Sequence, residues 1–374
     1  MSHAPSDALR KRHEVVRRAF DEQSLDALVV TALPNILYLT NFGGSAAIVV
    51  LTRARLIFIT DFRYVTAVND TRGTPSECPD LDLVVVDGSY DATLGRVLAA
   101  MSGARIGFEA ASLTVSRHTW LKNTVEEGNE APRLVATEGV VERARVRKDA
   151  YELAVLREAA GRLSSVASAL VVDVERGRTE REIALALDAR ILSEGFEKTA
   201  FETIVASGPN GALPHAKPTE RKLVEGDLVV LDFGGVYDSY CVDLTRTLCL
   251  GRATARAFEV YTAVLEAHDS AIHAVRAGVS RFAIDGAARD RLAAAGMAEA
   301  FGHGTGHGLG LEVHEEPRIS KLPSALPDEP IVPGMVFTIE PGAYVDGLGG
   351  VRIEDDVLVV EGGCEVLTDV PIEL

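Results

Sequence analysis

The chain has 374 residues, of which 47% are hydrophobic and 25% charged, and its formal net charge is −17. This length suits two domains that each bury a core, and the composition is that of a soluble globular protein. The negative charge disfavours binding to nucleic acid or to anionic membranes, because both need clustered Lys and Arg. The longest apolar runs, such as SAAIVVLT, are too short to span a membrane.

The N-terminal segment lacks the apolar core of a secretory signal, so we interpret it as an amphipathic helix and expect a cytoplasmic protein. Cys78, Cys241, Cys249 and Cys364 lie far apart and form no CxxC pair. This spacing argues against a zinc ribbon and a disulfide framework, and we expect reduced thiols that are mostly buried.

The first part of the chain has an α/β pattern from residue 25 to about residue 110. Strands are predicted in LDALVV, SAAIVVLT, ARLIFITD, LDLVVVD and ARIGFE. Helices are predicted at about 90–102 and 116–125, and a long helix at about 148–172. The pattern breaks around EGNEAPRLV, and we therefore predict an N-terminal domain over residues 1–140 and a C-terminal domain over residues 141–374.

The C-terminal part has an α+β pattern. Thr179 and Glu182 form a capping box for a helix that runs to Gly195. Two further helices, at about 255–277 and 281–295, end at glycines. Strands lie between and after these helices, which predicts helices on one side of a mainly antiparallel sheet.

An internal repeat places acids at strand ends. GDLVVLD and GMVFTIE each run from a glycine through an apolar strand to a carboxylate, which is Asp232 in the first and Glu340 in the second. A second strand follows each of them and carries Asp243 or Glu354 near its start. Two hairpins with two acids each predict a pseudo-symmetric domain that brings four carboxylates together.

Four adjacent carboxylates repel one another unless they are protonated or compensated by cations. Two divalent metal ions supply that compensation, and carboxylates with one imidazole suit Mn²⁺, Co²⁺, Fe²⁺ or Zn²⁺. The chain has no P-loop, GxGxxG, HExxH or GxSxG motif, so nucleotide binding, single-zinc proteolysis and a serine nucleophile have no local signature.

The imidazole is expected from the stretch FGHGTGHGLGLEVHEE, which contains His303, His307 and His314. Its alternating glycines disfavour a helix and predict an extended ribbon that allows close backbone approach and projects imidazoles into a site. A mobile glycine-rich loop is the alternative, but it explains neither the histidines nor the apolar LGLEV.

Two other residues are predicted to be structural. Trp120 is expected to pack against the N-terminal core rather than to line a pocket. His13 is expected in a frayed or solvated terminus.

The motifs LDFGG, VDLTRT, GHGTGHGLGLEVHEEPR, GMVFTIEPG and GVRIEDD resemble those of the proline-specific metallopeptidases, Xaa-Pro aminopeptidase and Xaa-Pro dipeptidase (prolidase). The motifs cover about residues 200–360. The resemblance implies an α+β pita-bread fold for the C-terminal domain. Through NILYLTNF and FITDFRY it also implies an α/β creatinase-type N-terminal domain.

The resemblance further implies a dinuclear metal site, with Mn²⁺ expected and Co²⁺, Zn²⁺ or Fe²⁺ as alternatives. Five positions match the metal ligands of the family: Asp232, Asp243, His307, Glu340 and Glu354. Asp243 and Glu354 would bridge the two ions. Activated water would then attack the carbonyl carbon of the Xaa-Pro bond.

Other positions match residues around the metals. His215, His303 and His314 match histidines that line the substrate site and stabilise the tetrahedral intermediate, and Arg352 matches an arginine outside the ligand set. Glu340 is expected to transfer a proton to the leaving prolyl nitrogen as well as to bind metal.

The expected substrate is a short peptide with proline at its second position. We expect an aminopeptidase, with a prolidase restricted to dipeptides as the alternative, in which Arg318 would bind the free carboxylate. Tyr344 could line the substrate pocket or pack in its hairpin. A homodimer is expected by analogy with relatives.

Three other activities of this fold are disfavoured. Methionine aminopeptidase usually lacks such an N-terminal domain. Metal-free creatinase-like hydrolases and non-enzymatic binding modules lose carboxylate ligands, whereas this sequence keeps all five.

Overall fold

A computed structural model describes residues 3–126, 130–170, 174–321 and 328–372. Contacts divide the chain into two units, one that ends at Arg145 and one that begins at Val146. The boundary predicted after residue 140 falls at the start of a helix, Val140–Val146, that contains this division. No helix among the described residues is both long and apolar enough to cross a membrane. The four cysteines are free.

The N-terminal unit is a six-stranded sheet with helices. Its strands are β1 (Ala27–Val30), β2 (Ile48–Thr52), β3 (Leu56–Thr60), β4 (Leu81–Val85), β5 (Arg105–Glu109) and β6 (Arg133–Thr137). Its helices are α1 (Ser6–Gln23), α2 (Leu33–Thr40), α3 (Val65–Asp70), α4 (Tyr90–Ala99), α5 (Val115–Val125) and α6 (Val140–Val146). The strand order is β4-β3-β2-β1-β5-β6, and β2 runs antiparallel to both of its neighbours. The predicted α/β class of this part is confirmed.

Several local features of this unit differ from the sequence predictions. Helices α2, α3 and α6 and strand β6 were not expected; β6 begins inside EGNEAPRLV, of which residues 127–129 lie outside the described residues. His13 is fully buried in α1, 2.7 Å from the carbonyl oxygen of Leu39, and its burial lowers its pKa to about 4. The prediction of a solvated His13 is therefore wrong. Trp120 is 43% exposed and lines a surface cavity, so the prediction that it packs in the core is also wrong.

The C-terminal unit combines helices with antiparallel strands. Its helices are α7 (Ala150–Leu170), α8 (Glu180–Ser193), α9 (Ala255–Ala274) and α10 (Arg281–Ala294). Its strands are β7 (Lys198–Thr199), β8 (Ile204–Ser207), β9 (Leu228–Tyr237), β10 (Tyr240–Cys249), β11 (Gly306–Gly308), β12 (Glu315–Ile319), β13 (Val336–Ile339), β14 (Gly342–Val345), β15 (Gly349–Arg352), β16 (Asp355–Val360) and β17 (Gly363–Val366). The predicted end of the long helix, at residue 172, lies outside the described residues.

Two larger sheets carry the site. In one, β9 pairs with β10, β7 and β8, and in the other the order is β12-β11-β13-β16-β17. Helices α7 and α8 share a buried core with β9 and β10, whereas α9 and α10 share a second core with β13 and β16. A bridge between Thr245 and Glu354 joins the two sheets near the acids. Asp232 and Asp243 lie within β9 and β10 rather than at strand ends as predicted.

Candidate active site

The first hairpin places two acids on one face. In the register of β9 and β10, Asp232 lies opposite Thr245, and Asp243 lies opposite Gly234. Because residues two apart on a strand point to the same side, Asp232 and Asp243 project from a common face of the hairpin. A Cβ atom on Gly234 would lie 2.4 Å from the carbonyl oxygen of Val242 and 2.7 Å from the ring of Phe201, so only glycine fits opposite Asp243.

The second hairpin is longer than the sequence suggests. Strands β13 and β16 pair at its base, and β14 and β15 form its tip. Glu340 lies between β13 and β14, and Glu354 lies between β15 and β16. The backbone N–H of Glu340 donates to Thr305 (2.7 Å), and that of Glu354 donates to Thr245 (3.1 Å). These bonds fix both glutamates where the regular strands are interrupted.

The glycine-rich stretch brings His307 to these acids. Strand β11 lies between β12 and β13. A Cβ atom on Gly306 would lie 1.8 Å from the oxygen of Thr338, and one on Gly308 would lie 2.2 Å from the oxygen of Glu316. Only glycine permits this approach on both sides. The regular strand covers residues 306–308, where the approach is closest, whereas a Cβ atom on Gly302 would meet nothing within 4 Å.

The imidazole of His307 faces the acids. Its Nδ1 lies 3.1 Å from the carbonyl oxygen of Gly308, which can only accept, so Nδ1 carries the proton. The free Nε2 lies 3.6 Å from Oε1 of Glu340 and 3.9 Å from Oδ2 of Asp243. Burial, followed by the nearby His314, lowers the pKa of His307 to about 4. The imidazole is therefore neutral, as a metal ligand must be.

Three of these side chains form a compact group that could hold a metal ion. Asp243, His307 and Glu354 are buried, and their ligand atoms lie within 4.8 Å of one another. The Oδ1 atom of Asp243 is buried and has no hydrogen-bond partner among the described residues. Buried polar atoms are rarely left without a partner, so this oxygen fits a site for a cation.

The acids are held in a setting that disfavours their charged forms. Burial, and then the charges of Glu354 and Asp232, raise the pKa of Asp243 well above its usual range. Burial, and then Glu340 and Asp232, do the same for the pKa of Glu354. Burial also raises the pKa of Glu340 to about 7, although Arg352 opposes the rise. Divalent cations would relieve this repulsion.

Arg352 connects the acids to the wall of the site. It forms an ion pair with Asp232, and its Nε donates to the hydroxyl of Thr245 (3.2 Å). A terminal nitrogen donates to the hydroxyl of Tyr344 (2.8 Å). That hydroxyl lies 2.9 Å from Nε2 of His303, whose Nδ1 lies 2.8 Å from the oxygen of Gly304.

A cavity of about 540 Å³ opens over the acids, within the size range of small-molecule sites. Of the residues predicted for the site, all except Tyr344 line it: His215, Asp232, Asp243, His303, His307, His314, Arg318, Glu340, Arg352 and Glu354. Tyr344, for which the sequence left open a place in the pocket wall or packing in its hairpin, is not among the residues that line the cavity; its hydroxyl contacts His303 and Arg352. Arg318 is exposed and makes no ion pair with the described residues.

Sequence reasoning missed several residues around the cavity. Phe201, Ile204 and Val313 give its wall an apolar part. Thr245 lies two residues after Asp243 on β10 and donates a hydrogen bond of 2.5 Å to Glu354. Its position on the same strand face was the one local signal, although its partner lies in a distant hairpin.

Comparisons with known proteins agree with this geometry. Residues 154–361 match the model of metallopeptidase family M24, and residues 12–147 match the Creatinase/Prolidase N-terminal domain. The chain is similar to Xaa-Pro dipeptidase of Pyrococcus furiosus, with 31% identity over 98% of this chain and 100% of that protein.

Two solved structures resemble the whole chain. The Xaa-Pro dipeptidase from Bacillus anthracis has a TM-score of 0.91 and 35% identity, covering 98% of this chain and 99% of that one. The X-Pro aminopeptidase from Thermotoga maritima has a TM-score of 0.84 and 32% identity, covering 95% and 99%. The predicted pita-bread fold with a creatinase-type N-terminal domain is confirmed. The chain thus belongs to metallopeptidase family M24.

Proposed function

We propose that this chain is a metal-dependent exopeptidase that hydrolyses Xaa-Pro bonds in short peptides. The observation that carries the proposal is the convergence of Asp243, His307 and Glu354 at the floor of the cavity. Membership of the family and the Xaa-Pro peptidases among its relatives support this assignment.

The donor set fits divalent metal. Five residues would hold two ions: Asp232, Asp243, His307, Glu340 and Glu354. Mn²⁺ is the expected ion, although Co²⁺, Zn²⁺ and Fe²⁺ suit the same ligands. When bound, the ions supply Lewis acidity, which lowers the pKa of water and polarises a carbonyl oxygen.

The protein groups then have separate roles. Glu340 lines the cavity beside the other acids and can accept a proton and pass it to the prolyl nitrogen. The imidazoles of His215 and His314 line the cavity and can donate hydrogen bonds to the carbonyl oxygen as charge develops on it. Both ring nitrogens of His303 already have partners, so we assign it to the support of Arg352 together with Tyr344.

The cavity suits a substrate without an amide proton at the scissile bond. An Xaa-Pro bond has no N–H and a fixed ring, so it cannot be held through ladder hydrogen bonds like an extended peptide. Apolar Phe201, Ile204 and Val313 can contact the prolyl ring, and the metal ligands lie beside them.

Of the two substrate lengths left open by the sequence, we propose the dipeptide. Arg318 lines the cavity without a carboxylate partner among the described residues, so it can bind the free carboxylate of a dipeptide. The relative from Pyrococcus furiosus and the structure from Bacillus anthracis are both named Xaa-Pro dipeptidases. The aminopeptidase expected from the sequence remains the second candidate, because the Thermotoga maritima structure is an X-Pro aminopeptidase.

A matched pair of substrates separates the two activities. Purified protein with Mn²⁺ is given Ala-Pro and Ala-Pro-Ala, and the release of alanine is followed. Cleavage of the dipeptide alone supports the prolidase, whereas cleavage of the tripeptide at Ala-Pro supports the aminopeptidase. Cleavage of neither, with any of the four metals, would contradict the proposed function.

Two further expectations of the sequence analysis remain predictions. A homodimer should elute from size-exclusion chromatography at twice the chain mass of 39.9 kDa. A cytoplasmic location should be visible by cell fractionation.

A further inference from the structure

The segment from Ser207 to Thr219 forms one wall of the cavity. It supplies five lining residues, which are Pro214, His215, Ala216, Lys217 and Pro218. After a short 3-10 turn at Gly208–Ala212, it contains neither helix nor strand. Ser207 ends β8 and pairs with Val229 on β9, but residues 213–219 belong to no strand, so the position of His215 depends on the contacts that join this stretch to the rest of the protein.

Both ends of this wall segment are held by one buried carboxylate, that of Glu180. Its Oε1 accepts hydrogen bonds from the backbone N–H and the hydroxyl of Ser207, each at 2.7 Å. Its Oε2 accepts from the backbone N–H (3.0 Å) and the hydroxyl (2.6 Å) of Thr219. The amide nitrogen of Asn210 lies 3.1 and 3.0 Å from the two oxygens. The carboxylate therefore closes the wall segment into a loop.

Glu180 is not needed to cap its own helix. Thr179 and Glu182 make a complete capping box at the start of α8. The side chain of Glu180 instead points into the protein, where the residue is fully buried. Burial of a carboxylate is costly unless its oxygens are hydrogen-bonded, and here every bond described above goes to the wall segment.

The wall segment is in turn connected to the reactive end of the cavity. The carbonyl oxygen of Pro214 accepts a hydrogen bond of 3.2 Å from Arg352. Ala216 packs against Val230, which lies on the same strand as Asp232. His215 lies between these two contacts, so movement of the segment would displace its imidazole relative to the acids.

We propose that Glu180 is a positioning residue that fixes the wall segment and thereby presents His215 to the substrate; this role rests on the proposed peptidase function. Glu180 itself is not among the described residues that line the cavity. It would act through geometry alone, without contact with substrate or metal.

The test compares Glu180→Gln with Glu220→Gln. Glu180→Gln keeps the size of the side chain but turns an amide N–H₂ group towards hydrogen-bond donors. This breaks the hydrogen bonds to at least one end of the wall segment. The control removes the same charge from an exposed neighbour whose described partner is Arg181 (3.0 Å). We expect Glu180→Gln to lower kcat for Ala-Pro roughly 10- to 100-fold, whereas the control stays near wild type.

Two readouts separate positioning from a loss of fold. Binding of Mn²⁺, measured by calorimetry, should be unchanged in Glu180→Gln. Amide hydrogen exchange over residues 207–219 should accelerate, while α7 to α10 keep their protection. Unchanged exchange in this segment would overturn the proposal. If Glu180→Gln does not fold, Thr219→Val can replace it, because it removes one hydroxyl that donates to Glu180. This variant should show a smaller loss of kcat and a smaller increase in hydrogen exchange.

A double-mutant cycle tests the link to His215. If Glu180 acts through this imidazole, Glu180→Gln combined with His215→Ala should have the same kcat as His215→Ala alone. Multiplied losses would overturn the link. If the wild type cleaves no Xaa-Pro peptide, the proposed function fails, and the exchange experiment still decides whether Glu180 holds the wall segment.

Discussion

The hydroxyl of Thr245 lies 2.5 Å from Oε2 of Glu354. The same hydroxyl lies 3.2 Å from Nε of Arg352, which can only donate. It therefore accepts from the guanidinium and gives its single proton to the glutamate. Thr245 is fully buried, so this bond orients the carboxylate before any cation arrives.

We predict that Thr245→Val weakens metal binding without unfolding the protein. Valine has a similar shape but cannot hold the carboxylate of Glu354, and partners of this kind typically contribute about 10- to 100-fold to metal affinity. Calorimetric titration with Mn²⁺ measures the change. Thr245→Ser keeps the hydroxyl and should bind nearly as the wild type does; equal affinity in the valine variant would contradict the role of this bond.

A second prediction concerns pH. The pKa of Glu340 is raised to about 7 from 4.5, chiefly by burial. An acid with a raised pKa in the folded state destabilises the fold once the unfolded chain ionises, so its cost is absent at pH 4 and complete above its folded pKa. In metal-free protein, Glu340→Gln should therefore raise the free energy of unfolding by up to about 3 kcal/mol at pH 8 and by little at pH 4.

Urea unfolding of chelator-treated wild type and Glu340→Gln at both pH values tests this prediction. His303 and His307, whose pKa values burial lowers to about 4, are present in both proteins and cancel in the difference. With Mn²⁺ present the wild type should be the more stable protein, because the amide of Glu340→Gln is a poorer metal ligand than the carboxylate. If the difference in free energy of unfolding between the two proteins is the same at both pH values, the pKa of Glu340 is not raised by burial.

A third prediction uses two glycines of one stretch. A Cβ atom on Gly308 would lie 2.2 Å from the oxygen of Glu316, whereas one on Gly302 would meet nothing within 4 Å. Gly308→Ala should cost about 1–3 kcal/mol of stability and shift His307, with loss of metal affinity. Gly302→Ala should be neutral in both respects. Thermal unfolding measures the stability of the two variants, and titration with Mn²⁺ measures their metal affinity. Equal stability and equal affinity would refute the steric argument.

A fourth prediction concerns substrate length. If Arg318 binds the carboxylate of a dipeptide, Arg318→Ala should raise KM for Ala-Pro roughly 10- to 100-fold, the usual value of a hydrogen bond to a charged group. Cleavage of any longer substrate, whose proline carries no free carboxylate, should change little. Arg318→Lys should retain part of the affinity. An unchanged KM for Ala-Pro in the alanine variant would remove the carboxylate-binding role.

The fold class was predictable because the sequence carries it locally. Apolar runs bounded by turns predicted the strands, and the capping box at Thr179 is present in the structure. Strand β6 was missed because its signal is diluted by flanking polar residues. The burial of His13 was missed because it depends on its contact with Leu39, in an element that the sequence pattern did not reveal.

The acidic residues of the candidate site could be predicted from the sequence, whereas the residues that hold other side chains in place could not. Asp232 and Glu340 each follow an apolar run, which indicates a buried sheet. Glu340 does follow the end of β13, whereas Asp232 lies within β9 and not at its end as the sequence predicted. The partners of Tyr344 and Glu180 come from distant segments, and no local pattern encodes such contacts. Residues that position others are therefore visible only once the chain is folded.

Peptide hydrolysis by this protein should depend on metal that the buried acids hold together with His307. Following Ala-Pro hydrolysis while chelator-treated protein is titrated with Mn²⁺ tests this dependence. We predict that the wild type hydrolyses no Ala-Pro without metal and reaches full activity at two ions per chain. Asp243→Ala should neither bind the ions nor hydrolyse Ala-Pro. Full activity in the metal-free protein, or near-normal turnover by Asp243→Ala, would contradict the metal site proposed for these residues.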